Sequence, residues 1–277
     1  MGLRISTNVA SIDGQRSLGK AEGALQDSFD KLASGSRINK ASDDAAGLAI
    51  SEQLRAGIRS ARQANRNAND GISMVQTAEG GLNEISNIIS RLRELGIQTA
   101  SDTIGDTERG MINKETMELK AEIQRIAKST KWKSDNLLDG TSRRFDYQVG
   151  INNNSSEDRI SYDSTQTIST IDALGLDSLD FSQKQGGLDA LKKLDTALTR
   201  VSSSRANLGA LQNRLTSTAT NLGIVEENLS STNSRIRDTD VANATAEMTR
   251  NNILLQAGTS SLAQANQTPQ VALKLLT

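Results

Sequence analysis

Two adjacent carboxylates, Asp43 and Asp44, are the first residues whose type and spacing suggest chemistry. Paired carboxylates can act as the acid and the base of a catalytic site. Neighbours in a helix, however, point about 100 degrees apart, so these two cannot share one substrate atom. Since Ser42 precedes them and an apolar periodic stretch follows, we predict that Ser42 caps a helix and that both aspartates lie in its first turn.

A second carboxylate set, Glu115, Glu118 and Glu122, follows one face of a predicted helix. A row of this kind is most often a solvated stripe. The chain has no histidine and no cysteine, which excludes imidazole bases, thiol nucleophiles and the metal sites that these side chains form. We therefore predict a protein that is not an enzyme and that holds no cofactor or metal.

The stretch "GQRSLGK" from Gly14 to Lys20 has the spacing of a phosphate-binding loop. It is followed by Ala21 instead of Ser or Thr and is preceded by no strand, so we interpret it as a chance match. The chain has 32 basic and 33 acidic residues, which gives no electrostatic preference for nucleic acid or anionic lipid. No apolar run approaches a membrane span, and the N-terminus lacks a signal peptide, so we expect no membrane insertion and an export route of another kind.

A seven-residue repeat of aliphatic side chains indicates a long coiled-coil helix in the C-terminal half. We expect its second seam position at Leu191, Leu198, Leu211 and Val225. A helix of about 50 residues is roughly 75 Å long, which exceeds the diameter of roughly 50 Å of a compact sphere of this chain length. The sequence therefore predicts a mainly α-helical, elongated rod. The predicted rod core is Leu194, Val201, Leu208, Leu215, Leu222, Leu229 and Ile236.

The N-terminal half supplies a matching seam, so the rod is expected to contain three helices, at about 43–100, 106–130 and 187–234. The second of them carries Ile112, Leu119, Ile123 and Ile126. A change to alternating apolar residues predicts a small β-hairpin at about 143–164, with Phe145, Tyr147, Val149 and Ile151 on one face. We interpret 165–187 as a linker. The matching seam consists of Leu54, Ala61, Ala68, Val75, Leu82 and Ile89, with Ile58, Ile72 and Ile85 between them.

Both ends of the chain resemble bacterial flagellins, the subunits of the flagellar filament. The stretch "LASGSRINKASDDAAGLAISEQLR" is similar to the most distinctive segment of that family, and "RIRDTDVANATAEMTRNNILLQAGTSSLAQANQTPQVALKLL" to its closing helix. The resemblance implies paired terminal helices, residues 1–42 with 235–277, as an inner domain, and residues 43–234 as an outer rod domain. It also implies one helix that continues through Pro269, the only proline.

The resemblance implies a structural, secreted protein that assembles with itself into an open helical polymer for swimming motility. Its implied partners are an export chaperone, the flagellar cap and the hook-associated proteins, and the chain would travel unfolded through the flagellar export apparatus. A hook-filament junction protein and a secreted coiled-coil effector are the alternatives. The terminal stripes are rich in small residues and lack a third helix, so we expect them to gain order when neighbouring subunits cover them.

The resemblance assigns two sets of site residues. One is an innate-receptor site for the vertebrate Toll-like receptor that binds flagellin, at Arg91, Leu95 and Glu115 with Arg93, Glu94 and Gln98. Near it, Gly96 stands where the family usually has alanine, and Gly80 and Gly81 are expected to loosen the same helix. Trp132, Lys133 and Ser134 replace the usual Phe-Asn-Gly turn. The other set packs subunits together in the inner domain: Leu18, Leu25, Phe29, Leu32, Leu255, Leu262, Val271, Leu273, Leu275 and Leu276.

Overall fold

The computed structural model describes residues 7–141 and 144–274, and these are mainly α-helical, as predicted. Six α-helices are described: α1 (Val9–Ser34), α2 (Ala45–Ala100), α3 (Asp106–Ser129), α4 (Ile171–Leu174), α5 (Lys184–Arg237) and α6 (Val241–Lys274). The strands are β1 (Lys131–Trp132), β2 (Asp135–Asn136), β3 (Arg144–Gln148) and β4 (Arg159–Asp163), and a short 3-10 helix covers Ser164–Thr167.

The chain forms two compact units. The first contains the chain up to Ile58 and the chain from Glu227 onward, which we call the terminal unit; the second, Arg59–Glu226, is the central unit. The helices α2 and α5 contribute to both. The sequence predicts other boundaries: 42/43 lies between α1 and α2, and 234/235 lies in the last turn of α5. These boundaries stay a prediction.

The core of the central unit lies between α2, α3 and α5. Leu194, Val201, Leu208, Leu215 and Leu222 of the predicted rod core are buried there. Leu229 and Ile236, the last two of that set, belong to the terminal unit and are only half-buried. On α2 the matching positions are also buried, among them Ala61, Ala68, Val75, Leu82 and Ile89.

The second seam position of α5 differs from the prediction. Leu191, Leu198 and Val225 are half-buried, whereas Ala190, Ala197 and Ser204 are buried, with Leu211 continuing their spacing. The buried residues thus follow spacings of three and four, as in a coiled coil. The prediction chose leucines because they are the largest apolar side chains, but small residues occupy this position and allow close approach.

Of the three glycines that we expect to weaken α2, one lies at a close packing contact. A Cβ at Gly81 would lie 2.6 Å from the hydroxyl oxygen of Thr130, so Gly81 gives room to that residue. A Cβ at Gly96 would make only ordinary contacts of 3.4 Å or more, and Gly80 has no atom within 4 Å of its Cβ position. The tight position lies opposite, on α5, because a Cβ at Gly187 would lie 3.0 Å from the carbonyl oxygen of Gly96 and 3.2 Å from the amide nitrogen of Ala100.

The start of α2 shows that Ser42 is not its N-cap. The helix begins at Ala45, and the carboxylate of Asp44 accepts the amide hydrogen of Gly47 at 2.8 Å, which is the N-cap hydrogen bond. The carboxylate of Asp43 accepts from the amides of Asn39 and Lys40 at 3.0 and 2.9 Å. Both aspartates are thus occupied by backbone donors, because a carboxylate accepts such hydrogen bonds more strongly than a serine hydroxyl.

The predicted β-hairpin is present, with β3 antiparallel to β4 and Phe145 opposite Tyr162. The rings of these two residues are stacked, with their centroids 6.0 Å apart. Val149 is buried beyond the end of β3, but Ile151 is exposed, so the alternation ends before it. A smaller hairpin of β1 and β2 has Lys133 at its turn with φ 56, where the family usually has asparagine.

The segment 165–187 is not a linker. It contains α4 and buries Leu174, Leu176, Leu179 and Phe181 in the core of the central unit. The side chains of α3 hold it in place, because the amide oxygen of Asn113 accepts from the amide of Phe181 at 3.0 Å and Lys120 donates to the carbonyl of Asp177. The prediction failed because Gly, Ser and Asp between apolar residues make a packed turn resemble a linker.

In the terminal unit, α1 and α6 lie side by side and antiparallel. The helix α6 continues through Pro269 to Lys274, which confirms the prediction of one uninterrupted helix. Within the described residues, no helix combines the length and apolarity of a membrane span.

Candidate assembly surface on the terminal helix pair

The contact between α1 and α6 is a thin seam of small and medium side chains. The methyl group of Leu262 lies 3.2 Å from the Cβ position of Gly14, and that of Leu18 lies 3.1 Å from the Cβ position of Gly258. Each leucine thus packs against a glycine of the other helix. The residues of α1 that face α6 are Ser11, Gly14, Leu18, Ala21, Leu25, Ser28 and Leu32, and those of α6 are Ala244, Met248, Asn251, Leu255, Gly258, Leu262 and Ala265.

Polar contacts close the seam at the start of α1. The side-chain amide nitrogen of Asn8 donates to the backbone carbonyl of Ala265 at 2.9 Å, and the hydroxyl of Ser11 donates to the side-chain oxygen of Asn266 at 2.8 Å. Asn8 also caps α1, because its side-chain oxygen accepts from the amide of Ser11. These bonds place residues more than 250 positions apart in contact.

The structure places five of the ten predicted subunit-packing residues inside this seam. Leu18, Leu25, Leu32, Leu255 and Leu262 are half-buried there. Their role in packing between subunits stays a prediction.

The remaining members of that set stand apart from the seam. Phe29 is 51% exposed. The backbone of Val271 and Leu273 lies in α6, but their side chains, and all of Leu275 and Leu276, lie outside the described residues.

The apolar surface that stays uncovered consists of other residues. Ile253 of α6 is 60% exposed, and Val9, Ile12, Val241 and Leu254 are also exposed. Sequence reasoning missed them because it followed the heptad spacing, which identifies the seam between two helices and not the opposite faces. A signal was available: α6 has no charged residue between Arg250 and Lys274.

Two open grooves follow this uncovered surface. One, of about 780 Å³, lies between α1 and α6 and is lined mostly by Ala, Gly, Ser and Leu, including Leu254. The other, of about 1030 Å³, follows the outer face of α6 from Val241 to Leu254. Largely apolar faces with such gaps, lined by few charged residues, are suited to receive other helices at short distance.

The predicted receptor residues form a charged ridge of the central unit. The guanidinium of Arg91 donates to the carboxylate of Glu115 at 2.9 and 3.0 Å and to Glu94 at 3.0 Å, and Arg93 pairs with Asp195 at 2.7 Å. The carboxylate of Glu115, and then that of Glu94, raises the pKa of Arg91. Gln98 is exposed.

Leu95 does not belong to this ridge. It is 1% exposed and lies in the core, so the prediction that it contacts a receptor is wrong. Its spacing from Arg91 and Gln98 suggests that it lies on the same face of α2 as these residues. In the structure its side chain lies in the core instead.

Two glutamates of the row on α3 take part in ion pairs at the protein surface. Within residues 7–141 and 144–274, no group of three or more acidic residues could hold a metal ion. Glu122 pairs with Arg125, and this hydrogen bond lowers the pKa of Glu122. Glu115 pairs with Arg91, so two members of the glutamate row are used in ion pairs at the protein surface.

Comparison with known proteins identifies the family. The model of the bacterial flagellin N-terminal helical region matches residues 5–143, and that of the flagellin C-terminal helical region matches residues 191–276. The chain belongs to the bacterial flagellin family. The two matched regions contain α1 to α3 and α6, with most of α5.

Relatives of this flagellin align over their full length. The flagellin of Halalkalibacterium halodurans is 43% identical over 98% of this chain and 99% of its own. The flagellin of Bacillus subtilis is 41% identical over 99% and 100%, respectively. The flagellar filament 33 kDa core protein of Treponema phagedenis is 38% identical over 98% and 99%.

Solved structures agree in fold. The crystal structure of Bacillus cereus flagellin superposes with a TM-score of 0.51 at 29% identity and covers 57% of this chain and 88% of that one. A putative flagellar hook-associated protein of Vibrio parahaemolyticus gives a TM-score of 0.58 at 13% identity, over 71% and 100%. The second likeness shows the fold alone.

Proposed function

We propose that this chain is a structural subunit that polymerises into the filament of a bacterial flagellum. The observation that carries the proposal is the flagellin likeness at both ends of the chain, which relatives share over nearly their full length. The uncovered faces of α1 and α6 support it, because an apolar surface on a helix pair of one chain is covered when equivalent helices of other chains pack on it. A contact between two different faces produces an open helical polymer when its rotation does not close into a ring.

The finer features of this function are also proposals. They are export of the unfolded chain through the flagellar apparatus, binding by an export chaperone, assembly beneath a cap protein and attachment to hook-associated proteins. The extracellular filament is the proposed location. A structural role of this kind requires no cofactor and no nucleic acid, and it leaves no task for an active site.

The assembly surface can be tested with a matched pair of variants. Ile253→Asp places a carboxylate on the largely apolar outer face of α6, where Ile253 is 60% exposed. Ile224→Asp makes the same change on α5 of the central unit, where Ile224 is 55% exposed. Neither change affects a buried side chain, so both variants should fold. Purified protein is mixed with short filament seeds, and elongation is measured by electron microscopy and by pelleting.

We expect Ile224→Asp to form micrometre-long filaments and Ile253→Asp to leave the seeds unextended, because the charge would lose its water on assembly. If Ile253→Asp elongates as well as its control, the outer face of α6 is not an assembly surface. A wild-type chain that forms only short rings on added hooks would instead support the hook-filament junction alternative.

We also propose that the charged ridge of the central unit is the receptor site, with Arg91, Glu94, Glu115, Arg93 and Gln98 as its surface and without Leu95. The exposed ion pairs of this ridge support the proposal, since exposed pairs contribute little to folding and remain available to a partner. The double variant Arg91→Ala and Glu115→Ala should reduce signalling by the monomer in cells that carry the flagellin receptor. The matched control is Glu122→Ala with Arg125→Ala, the next exposed pair on α3. Equal signalling by both variants would exclude the ridge.

A further inference from the structure

Charged side chains lie at both grooves of the terminal helix pair. Asp13 and Lys20 of α1 line the groove between α1 and α6, which we call the pair groove. Arg250 lines the groove on the outer face of α6, and Glu247 is exposed one turn before it. Within residues 7–141 and 144–274, none of these four side chains forms a hydrogen bond or an ion pair. Each of them is therefore available to a charge of another molecule.

The pair groove and the outer face of α6 have matching lengths. Along α6 the groove extends from Asn251 to Ala265, and the outer face extends from Val241 to Leu254. Each is about 14 residues, or roughly 20 Å, long. The groove is lined mostly by Ala, Gly and Ser, which leave room for larger side chains, and the exposed Ile253 projects from the outer face. These dimensions allow the outer face of a second copy to lie in the groove.

The contacts of the seam determine where each charge of the pair groove lies along α6. The two leucine–glycine contacts put Asp13 level with Ala263 and Lys20 level with Gln256. The two charges are thus about 10 Å apart along the helix axis. Because α1 and α6 are antiparallel, the acidic residue of the groove lies toward the C-terminal end of α6 and the basic residue toward its N-terminal end.

A second α6 that lies in the groove in the same direction as the first meets these charges in a complementary order. When its Arg250 is beside Asp13, its Glu247 is roughly 4.5 Å nearer to Lys20, and its outer face covers nearly the whole groove. In the opposite direction, Glu247 would lie on the far side of Asp13, and most of the outer face would extend beyond the end of the groove. The charges and the lengths therefore select the same orientation.

We propose that the outer face of α6 of one copy packs into the pair groove of a second copy, in the same direction, with Arg250 paired with Asp13. The inference rests on the proposed function and names the two surfaces that meet in the polymer. Each copy offers its groove to one neighbour and its outer face to another, so the contact joins two different faces. Ion pairs that lose water at an interface favour one alignment of the partners over others.

A charge exchange tests the pairing in filaments, where neighbouring subunits cover these helices. The full-length variants are Asp13→Arg, Arg250→Asp and the double variant with both changes. The matched control is Asp27→Arg with Arg250→Asp, because Asp27 is an exposed carboxylate of α1 outside the groove and the control has the net charge of the double variant. Seeds of the parent chain are extended, and the steady elongation rate is measured by electron microscopy and by pelleting.

We expect each single reversal to slow elongation at least about tenfold, because it brings like charges together as water leaves the interface. The double variant should recover to within about threefold of the parent rate, because the same pair is restored with exchanged signs. The control should remain as slow as Arg250→Asp alone, because its new arginine does not line the groove.

A disulfide between subunits tests the geometry without charge repulsion, since the chain has no cysteine of its own. Chains with Asp13→Cys and chains with Arg250→Cys are copolymerised on parent seeds and oxidised with diamide, and the mixed dimer is measured by mass spectrometry. The two cysteines are on different chains, so the mixed dimer reports a contact between copies. A copolymer of Asp27→Cys and Arg250→Cys chains should form at least about fivefold less, because the two Cα atoms would be too far apart.

Single reversals that elongate at the parent rate would overturn the inference, and so would a double variant that stays as slow as its control. A mixed dimer no more abundant with Asp13→Cys than with Asp27→Cys would overturn it as well. In each of these cases the parent chain still forms filaments, so the proposed function stands. A parent chain that fails to extend its own seeds would instead refute the proposed function, and the inference with it.

Discussion

The seam of the central unit and the seam of the terminal pair follow the same spacing but bury their side chains to different depths. In the central unit, Leu194, Leu208 and Leu215 are fully enclosed because α3, the folded segment 165–187 and the β3–β4 hairpin pack on the α2–α5 pair. In the terminal unit, Leu18, Leu255 and Leu262 remain half-buried, since α1 and α6 have no third helix among the described residues. The heptad pattern thus specifies which helices pair, while the number of covering elements decides how much that pairing stabilises.

The largest expected effect that tests this comparison is a leucine truncation in each seam. Leu194→Ala should lower the free energy of unfolding of the central unit by about 2–5 kcal/mol, because it leaves a cavity in an enclosed core. Leu262→Ala should lower the free energy of unfolding of the terminal unit by less than about 1 kcal/mol, because truncating a half-buried side chain on an open helix pair leaves no closed cavity. Urea unfolding followed by circular dichroism measures both. Equal losses would mean that the two seams are equally enclosed.

A smaller effect comes from the glycines at which the helices approach. Gly187→Ala should destabilise the central unit by about 1–3 kcal/mol, since its Cβ would meet backbone atoms of Gly96 and Ala100 that cannot move independently of α2. Gly258→Ala would meet only the end of the Leu18 side chain at 3.1 Å, and the helix propensity of alanine favours α6 by about 1 kcal/mol. We therefore expect Gly258→Ala to be neutral or stabilising in hydrogen-exchange measurements on α6. A loss of protection there as large as that caused by Gly187→Ala in α5 would contradict this interpretation.

Sequence reasoning located these elements better than it located their surfaces. The long helices, the β3–β4 hairpin and the leucines of α5 follow from periodicity, which is a property of each segment by itself. The small residues Ala190, Ala197 and Ser204 have no apolar signal strong enough to mark them as buried. The packing of residues 165–187 depends on side chains of α3 that the segment does not contain.

The candidate surfaces show the same limit. Arg91 and Glu115 meet as the resemblance implies, because both lie on regular helices whose register is readable. The burial of Leu95 and the exposure of Ile253 depend on which helices pack beside them, and the sequence of a single helix does not specify that packing. A heptad analysis therefore identifies the paired face of a helix and leaves the face available to a partner unassigned.

A turn of the central unit offers a stabilising change. Lys133 has a φ of 56, in the left-handed region that glycine and asparagine adopt more readily than lysine. Lys133→Asn should raise the free energy of unfolding of the central unit by about 0.5–1 kcal/mol, with Lys131→Asn in the neighbouring strand as a control that should not stabilise. Thermal unfolding measures the difference. A lower midpoint for Lys133→Asn would show that the lysine side chain itself stabilises the turn.

The smallest expected effect is a difference in pH-dependent stability between the terminal unit and the central unit. Hydrogen bonds from Arg237 and then Arg55 hold the pKa of Glu52 below its usual value of 4.5. Because the folded-state pKa is depressed, the stabilisation is present at neutral pH and is lost as the pH falls below 4.5 through the folded-state pKa. Glu122 of the central unit also has a lowered pKa, caused by the hydrogen bond from Arg125, but both residues of that pair lie in α3 and connect it to no other element.

Acid should therefore loosen the contact between residues 35–39 and 236–240 before it affects α3. In that contact the amide of Arg37 donates to the carbonyl of Arg237, whose guanidinium pairs with Glu52. Hydrogen exchange, corrected for its intrinsic pH dependence, should show protection lost at residues 35–39 and 236–240 on acidification, with protection of 112–127 retained. Glu52→Gln should remove most of that pH dependence, because the amide keeps an acceptor for Arg237 but does not titrate, whereas Glu122→Gln should leave it unchanged. If acid exposes both regions together, the contact is held by the packing of Ile38 and the backbone bonds, and its charged pair contributes nothing measurable.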